Sequence, residues 1–242
     1  MSNTLDVQVY DNKCVAIVSG GMDSTVLAYQ CNFAYKQLIM VSFNYGQRHK
    51  KELDYAAKTA AALGADHRII DMGFMAALLG GSALTSPDVA VPDGHYAEES
   101  MRQTVVPNRN MIMLSIACGI AVAEKADALL TGVHAGDHFI YPDCRPEFIR
   151  VMNNAMKIAN LGFIPEHFEL HAPYSTITKA DIARVGDAYK VPWQDTWSCY
   201  KGGAMHCGVC GTCTERREAF EIAGIDDPTR YADLTKHWQE VK

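Results

Sequence analysis

Short apolar runs alternate with longer amphipathic segments along most of this chain. The apolar runs predict buried strands at residues 14–19, 38–43, 68–71, 128–133 and 168–171. Helices are predicted between and after them, at residues 24–35, 48–63, 110–125, 146–160 and 179–190. Strands that alternate with helices form parallel sheets through right-handed crossovers. The pattern therefore predicts an α/β fold with a doubly wound, mainly parallel five-stranded sheet, for which we assume the strand order 3-2-1-4-5.

Capping side chains mark several of the predicted helix ends. Thr178 and Asn108 each stand just before a helix, where a side-chain oxygen can accept from free N–H groups. Residues 212–215, Thr-Cys-Thr-Glu, fit a capping box that opens a further helix, and Gly224 fits its end. Residues 80–107 break the rhythm with glycines and prolines, so we expect a functional loop there, either a lid or a substrate loop.

Composition narrows the possible functions. The 242 residues are 48% hydrophobic and 21% charged, which suits a single globular domain over residues 1–242 with a sizeable core. No apolar run is long enough for a transmembrane helix, and residues 1–9 lack the basic start of a secretory signal, so a cytoplasmic location is expected. The net charge of −6 favours a small-molecule substrate over nucleic acid, and the basic residues 48–51 are expected to be a solvated helix face.

Residues 19–24, Ser-Gly-Gly-Met-Asp-Ser, lie between the first predicted strand and the first predicted helix. A strand, a glycine turn and a helix start together present backbone N–H groups to a bound anion. The stretch lacks the Gly-Lys-Ser/Thr ending of a Walker A loop. The alternative is an ordinary turn in which Asp23 or Ser24 caps the helix. Lys179 lies near another helix start, where it would either reach phosphate or be solvated.

Four of the eight cysteines follow a C-x7-C-x2-C-x2-C spacing near the end of the chain: Cys199, Cys207, Cys210 and Cys213. Four thiolates fill every position of a structural zinc site, so we predict one structural Zn²⁺ without a catalytic role. An iron–sulfur cluster and redox disulfides are the alternatives. The spacing places a zinc-binding segment at about residues 196–224, after a core at about residues 14–195.

The segment after the fourth strand, residues 134–147, is rich in groups that recognise polar ligands. In a doubly wound sheet of the expected order, ligands bind between the first and fourth strands, so this segment would face the glycine loop. The candidates are Asp137 and Asp143 for a guanine-like edge, Tyr141 for ring stacking, and Arg109 and Arg145 for bidentate contact with a substrate carboxylate. Each of them alone would also suit a surface loop.

Several motifs point to a known family. Residues 19–24 resemble the SGGxDS signature of the PP-loop ATP pyrophosphatases. FNYGQRH at 43–49, VPNRN at 106–110, YPDCRPEF at 141–148 and the cysteine spacing follow in that order. Together they resemble the 7-cyano-7-deazaguanine synthase family of queuosine biosynthesis over roughly residues 14–222. The YPDCRPEF stretch and the cysteine spacing are much more specific than the SGGxDS signature.

The resemblance implies a PP-loop fold like that of the adenine nucleotide α-hydrolases. It also implies ATP-dependent conversion of 7-carboxy-7-deazaguanine and ammonia to the nitrile, through adenylated carboxylate and amide intermediates, by a homodimer that uses Mg²⁺. Asp23 and Ser24 would be catalytic, with Asp23 binding magnesium or orienting the loop. ATP-binding residues would be Val18, Ser19, Gly20, Gly21, Met22, Asp23, Ser24, Thr25, Val26, Leu27 and Ala28.

Rival functions share the same loop. A tRNA-thiolating PP-loop enzyme would use cysteines as sulfur carriers or cluster ligands and would need a basic surface. An amide-forming ligase would act on another acid, and a zinc-bearing nucleotide-binding module would have no activity at all. The net negative charge and the four-cysteine spacing favour the nitrile-forming enzyme over the thiolating one.

Overall fold

The computed structural model describes residues 10–86, 88–96 and 99–241, so the interpretation of residues 1–9 lies outside the described part. The described strands are β1 (Tyr10–Ile17), β2 (Tyr35–Asn44), β3 (Asp66–Asp71), β4 (Ala128–Leu130) and β5 (Glu169–His171). The described α-helices are α1 (Met22–Ala34), α2 (Glu52–Leu63), α3 (Phe74–Leu78), α4 (Arg109–Ala123), α5 (Pro146–Ala159), α6 (Lys179–Ala188) and α7 (Gly211–Ala223). Among these, none is long and apolar enough to cross a bilayer.

The five strands form one parallel sheet, as predicted, and their order β3-β2-β1-β4-β5 is the one assumed above. Successive side chains of a strand point to opposite faces. Val15 of β1 accordingly belongs to one apolar core and its neighbours Cys14 and Ala16 to another. Helices cover both faces, which explains why the strands are apolar runs rather than alternating patterns. The topological switch lies between β1 and β4.

The basic residues 48–51 do not form a helix face, so that expectation was wrong. They form a turn, because the backbone N–H of Arg48 donates to the carbonyl oxygen of Leu84 (2.8 Å) and holds the chain before α2 starts. His49 in this turn is only 3% exposed. The basic residues on either side of His49 suggested an exposed segment, although His49 itself is buried.

Two of the three predicted helix caps differ from the structure. Thr178 caps α6 as expected, its side chain accepting from the N–H of Asp181. Asn108 precedes α4 in the left-handed conformation (φ 57°) and makes no side-chain cap, since asparagine tolerates that backbone. The helix α7 begins at Gly211 rather than after Thr212, and Thr214 Oγ1 instead donates to the carbonyl oxygen of Gly94 (2.9 Å).

The described parts of the long loop, residues 80–107, are packed against the rest of the protein. Leu84 and Met101 are completely buried. A β-bridge joins Asp93 to Cys210, and a Cβ atom at Gly211 would lie 2.5 Å from Met101 Sδ. The loop therefore fills the space between the sheet and the cysteine segment.

Candidate functional site

The glycine loop lies at the switch point and lines a cavity of about 220 Å³. Its hydroxyls bond within the loop: Ser24 Oγ accepts from the N–H of Ser19 (3.1 Å), and Ser19 Oγ accepts from the N–H of Gly21 (3.3 Å). These bonds fix the loop in a shape that directs its hydroxyls and the start of α1 toward the cavity. A preorganised set of such donors suits an anion.

Gly20 serves packing rather than close approach to a ligand. Its φ is +91°, and a Cβ atom there would lie 2.1 Å from the carbonyl oxygen of Glu52 and 2.6 Å from the backbone nitrogen of Ala56. Gly20 does not line the cavity, whereas Gly21 does. The first glycine therefore allows the loop to pass close to α2.

The residues predicted to bind ATP divide into two groups. Val18, Ser19, Gly21, Met22, Asp23 and Ser24 line the cavity. The α1 residues that follow are buried, and three of them pack in the core against the sheet: Val26, Leu27 and Ala28. Thr25 is also buried, and its Oγ1 has no hydrogen-bond partner in the described structure.

A buried charge cluster stands beside the loop. Lys179, at the first position of α6, places its Nζ 3.1 Å from Asp23 Oδ2 and 2.7 Å from Glu215 Oε2. The alternative of a solvated lysine is therefore wrong. Burial lowers the pKa of Lys179, but the two carboxylates outweigh it and the pKa is raised. Burial likewise raises the pKa of Asp23, yet Lys179 and His134 outweigh it, so Asp23 is ionised.

His134 lies at the centre of this cluster. Its Nδ1 accepts from the N–H of Gly136 (3.0 Å), so in the neutral ring Nε2 carries the proton. Nε2 lies 3.9 Å from Asp23 Oδ2, 3.6 Å from Asp137 Oδ1 and 3.7 Å from Glu215 Oε1. The histidine therefore directs a proton toward three carboxylates and keeps them apart.

Arg109 and two tyrosines form a cationic, aromatic part of the cavity lining. The guanidinium carbon of Arg109 lies 5.7 Å from the ring centres of both Tyr45 and Tyr141, and Arg109 Nη1 donates to Tyr45 Oη (3.3 Å). Tyr141 Oη bonds Thr104 Oγ1 at 2.6 Å. Within the described residues no carboxylate forms an ion pair with Arg109, which leaves the guanidinium open to an anionic ligand.

The segment after β4 faces the glycine loop only in part. Asp137 and Tyr141 line the cavity with Arg109, whereas Asp143 and Arg145 do not. Asp143 Oδ2 accepts from the N–H of Asn110 (3.0 Å) at the start of α4. Arg145 is exposed, and its Nε donates to the carbonyl oxygen of His138 (3.1 Å). These two side chains therefore support the cavity wall from outside.

Sequence reasoning overlooked two acidic residues. Glu215 was attributed to a capping box, but in the structure it lies on α7 and accepts a hydrogen bond from Lys179. No local pattern in the sequence links two residues so far apart. Glu52 starts α2, lines the cavity and is buried. Because Glu52 lies inside the predicted helix 48–63, it was taken for an ordinary helical residue and its place in the cavity was missed.

The four cysteine sulfurs form a compact cluster. All lie within 4.8 Å of one another, and Cys207 N–H and Cys210 N–H donate to Cys199 Sγ (3.4 Å) and Cys207 Sγ (3.3 Å). Four sulfurs at this spacing fit one tetrahedral metal ion. His206 is not a fifth ligand: its Nε2 accepts from the N–H of Ser198 (3.0 Å).

A parallel sheet with an anion-binding loop at its switch point, a buried lysine beside the loop and a four-cysteine centre define an α/β protein of the PP-loop class. The chain matches the family described as Queuosine biosynthesis protein QueC over residues 13–224. It therefore belongs to the QueC family, as the order of its motifs indicated.

Named relatives agree with this membership. The chain is 57% identical over 221 residues to the 7-cyano-7-deazaguanine synthase of Agrobacterium fabrum, covering 91% of this chain and 92% of that protein. The corresponding synthase of Brucella ovis is also 57% identical and is covered to 94%. Among solved structures, U34-tRNA thiolase NcsA of Methanococcus maripaludis is 16% identical with a TM-score of 0.48, covering 90% of this chain and 74% of that one, a likeness too weak to bear on function.

Proposed function

We propose that this chain converts 7-carboxy-7-deazaguanine and ammonia to 7-cyano-7-deazaguanine at the expense of ATP. The names of its close relatives support the reaction. The structural observation that carries it is one cavity lined both by an anion-binding loop and by Arg109. Such a cavity suits two anionic reactants, a nucleotide and an acid, that must meet.

The chemistry requires two activations. The substrate carboxylate attacks the α-phosphorus of ATP and pyrophosphate leaves, since a free carboxylate has no good leaving group. Ammonia then attacks the acyl adenylate, and AMP leaves to give the amide. The amide oxygen attacks a second ATP, and loss of AMP and a proton leaves the nitrile. Both activations need the charge of pyrophosphate neutralised as it departs.

The residues around the loop supply that neutralisation. The loop hydroxyls, including Ser24, and the start of α1 donate to the phosphates, and Lys179 contributes a buried positive charge. Asp23 Oδ1 is buried and has no hydrogen-bond partner in the described structure, which fits a bound cation. Mg²⁺ at Asp23 would offset phosphate charge during each activation. Catalysis then rests on positioning and electrostatics rather than on a protein nucleophile.

We propose that the acid binds at the tyrosine-walled part of the cavity. Arg109 takes its carboxylate, and Tyr141 flanks the ring. The half-buried guanidinium lines the cavity and has no carboxylate partner among the described residues, which supports this placement. Asp137 lines the same cavity, within reach of both reactants, while Asp143 and Arg145 act on the substrate through the wall they brace.

The cysteine cluster is proposed to hold one structural Zn²⁺. Cys199, Cys207, Cys210 and Cys213 would fill all four positions, so the metal stabilises the segment and takes no part in the reaction. An iron–sulfur cluster remains the alternative, and metal analysis of the purified protein decides between them.

The assembly and its location complete the proposal. The chain acts as one domain and as a homodimer in the cytoplasm, without nucleic acid as a partner. On α5, Val151 and Ile158 are exposed, and Leu161 and Phe163 follow on the next turn. An exposed apolar surface of this kind supports an interface between copies.

Mass spectrometry of the purified protein incubated with ATP, ammonium and 7-carboxy-7-deazaguanine tests the reaction. The expected product has exchanged two oxygens and one hydrogen of the acid for one nitrogen, with AMP and pyrophosphate released. An amide as the final product would show an amide-forming ligase instead. Sulfur incorporation into tRNA, without nitrile, would show the thiolating enzyme.

A further inference from the structure

A buried polar turn, residues 43–49, leads from the end of β2 to α2 and presents Glu52 to the cavity. Gln47 in this turn is only 1% exposed. Its Oε1 accepts from the N–H of Tyr45 (2.8 Å), and its Nε2 donates to the carbonyl oxygen of Phe43 (3.0 Å) and to Glu52 Oε1 (3.2 Å). Every hydrogen-bonding group of the amide is thus committed, which fixes the orientation of the Glu52 carboxyl.

The other oxygen of Glu52 is less well satisfied. His49 Nε2 lies 3.5 Å from Oε2, at the outer limit of a hydrogen bond. His49 is itself buried, and its Nδ1 has no partner in the described structure. Glu52 is 8% exposed and lines the same cavity as the glycine loop. A buried carboxyl with spare acceptor capacity at a ligand cavity calls for donors from a ligand.

The other carboxylates of the cavity are already engaged. Asp23 binds Lys179. Asp137 accepts from Tyr96 Oη at Oδ1 (3.0 Å) and from the N–H of His134 at Oδ2 (3.0 Å). Of the acidic side chains that line this cavity, Glu52 is therefore the one with capacity left for a ring edge.

Glu52 and Arg109 both line the cavity. Tyr45, which precedes Gln47 in the turn, bonds Arg109, and the guanidinium opposes the effect of burial on the pKa of Glu52. No ion pair joins Arg109 to Glu52 among the described residues, so one cavity offers a cation and a separate acceptor to an acid whose ring carries N–H donors on the edge away from its carboxylate. The deazaguanine acid is such a molecule, since its ring N1–H and 2-amino group are adjacent donors.

We propose that Glu52 recognises the 2-amino edge of the deazaguanine ring, accepting hydrogen bonds from N1–H and from the amino group. This assignment rests on the proposed function and names the specificity-determining residue of its acid substrate. A site built to hydrogen-bond a substrate N–H rejects analogues that lack it, because the buried acceptor is then left unpaired. Glu52 therefore selects a 2-amino purine-like ring over its hypoxanthine-like counterpart.

Calorimetric binding tests the proposal independently of turnover. The ligands are 7-carboxy-7-deazaguanine and the analogue that lacks the 2-amino group. The wild-type protein is expected to bind the first at least about tenfold more tightly, the value of one charge-assisted hydrogen bond. In Glu52→Gln, whose amide presents a donor to the same edge, we expect this preference to fall to near one, with ATP affinity unchanged.

Asp54→Asn is the matched control, because Asp54 lies on the same helix and is exposed. It is expected to retain the wild-type preference. An unchanged preference in Glu52→Gln, with the wild-type protein still forming nitrile, would overturn the role of Glu52 alone. Absence of binding of either acid to the wild-type protein would overturn both this role and the proposed function. Circular dichroism and ATP affinity of Glu52→Gln verify that the variant is folded.

Discussion

The backbone N–H of Trp197 donates a hydrogen bond of 2.9 Å to the carbonyl oxygen of Gly20. Trp197 in turn donates from Nε1 to the carbonyl oxygen of Cys199 (2.9 Å), the first cysteine of the cluster. Arg216, completely buried on α7, donates to Thr196 Oγ1 (2.6 Å) from the other side. The cysteine segment and the glycine loop are therefore parts of one rigid unit.

Removing the metal is expected to weaken ATP binding, although no cysteine touches the nucleotide loop. Loss of the cluster frees the segment that holds Gly20, so the loop loses its preorganised shape. We expect Cys213→Ser, or chelation of the metal, to reduce ATP affinity by about tenfold or more, a loss of about 1.4 kcal/mol. Isothermal titration with ATP measures it.

Cys118→Ser is the control for that experiment, because this thiol lies on α4 outside the cluster. It should bind ATP like the wild-type protein. Unchanged ATP affinity in metal-depleted protein with intact circular dichroism would show that the two parts are not coupled.

Lys179→Met should abolish ATP turnover. The substitution keeps the length of the side chain but removes the charge that neutralises phosphate, and it leaves Asp23 and Glu215 close together without a cation. Loss of one such preorganised group costs about 10²–10³-fold in kcat. Pyrophosphate release measures the effect, and Lys190→Met, at an exposed lysine after the same helix, serves as control.

Asp23→Ala should also abolish turnover, and near-normal nitrile formation in either variant would exclude these roles.

The parallel sheet and the glycine loop were predictable, because the strands and the loop are marked by local sequence patterns. A run such as residues 38–43 reports a strand buried on both faces, and parallel crossovers leave few possible orders. The cysteine cluster was likewise predictable from the spacing of its residues, since metal ligands on a tight turn must be close in sequence. These features needed no knowledge of contacts between distant segments.

The contacts among the side chains of the cavity were not predictable, because they depend on how segments distant in sequence pack together. Glu215 meets Lys179 only through the packing of α7 against α6, and Glu52 meets the loop only because Gly20 lets α2 approach. Asp143 and Arg145 have the right chemistry, but the turn around them directs both side chains out of the cavity. Residue type identified the candidate substrate-binding residues, but the course of the backbone determines which of them line the cavity.

Arg109→Lys should weaken binding of the acid substrate much more than binding of ATP. Lysine keeps the charge but lacks the planar fork that meets a carboxylate with two hydrogen bonds between two tyrosine rings. We expect the KM for the acid to rise about tenfold or more, with the KM for ATP nearly unchanged. Arg150→Lys, at an exposed position of α5 outside the cavity, should leave both values near wild type. Equal effects of the two substitutions would contradict the placement of the substrate carboxylate at Arg109.

Glu52→Gln should change how stability depends on pH. In the protein without substrate, burial raises the pKa of Glu52 to about 8, so between its ordinary pKa and pH 8 the folded state holds a proton that the unfolded state has lost. The free energy of unfolding of the wild-type protein therefore falls as pH rises through this range. Each pKa unit is worth about 1.4 kcal/mol, so the variant should gain a few kcal/mol relative to wild type by pH 8. The N–H donors of a bound ring favour the ionised Glu52 carboxylate, so binding of the acid displaces this proton.

Urea unfolding of both proteins at pH 5 and pH 8 measures that difference. Burial lowers the pKa of His49 to about 3, so His49 affects stability in the opposite sense up to its ordinary pKa, but it does so in both proteins and cancels in their difference. A difference between the two proteins that is the same at both pH values would show that Glu52 is ionised throughout.

Gly20→Ala should cost far more stability than Gly64→Ala, although both glycines have positive φ. At Gly64 (φ +64°) no atom lies within 4 Å of an added Cβ, so only the left-handed backbone is penalised, by about 1 kcal/mol. At Gly20 the methyl group would meet the carbonyl oxygen of Glu52 at 2.1 Å, which forces the loop and α2 apart. We expect a loss of several kcal/mol in the free energy of unfolding, of the size seen for overpacking, together with loss of ATP binding. Chemical denaturation of both variants measures the costs, and similar values would mean that Gly20 is required for its backbone conformation alone.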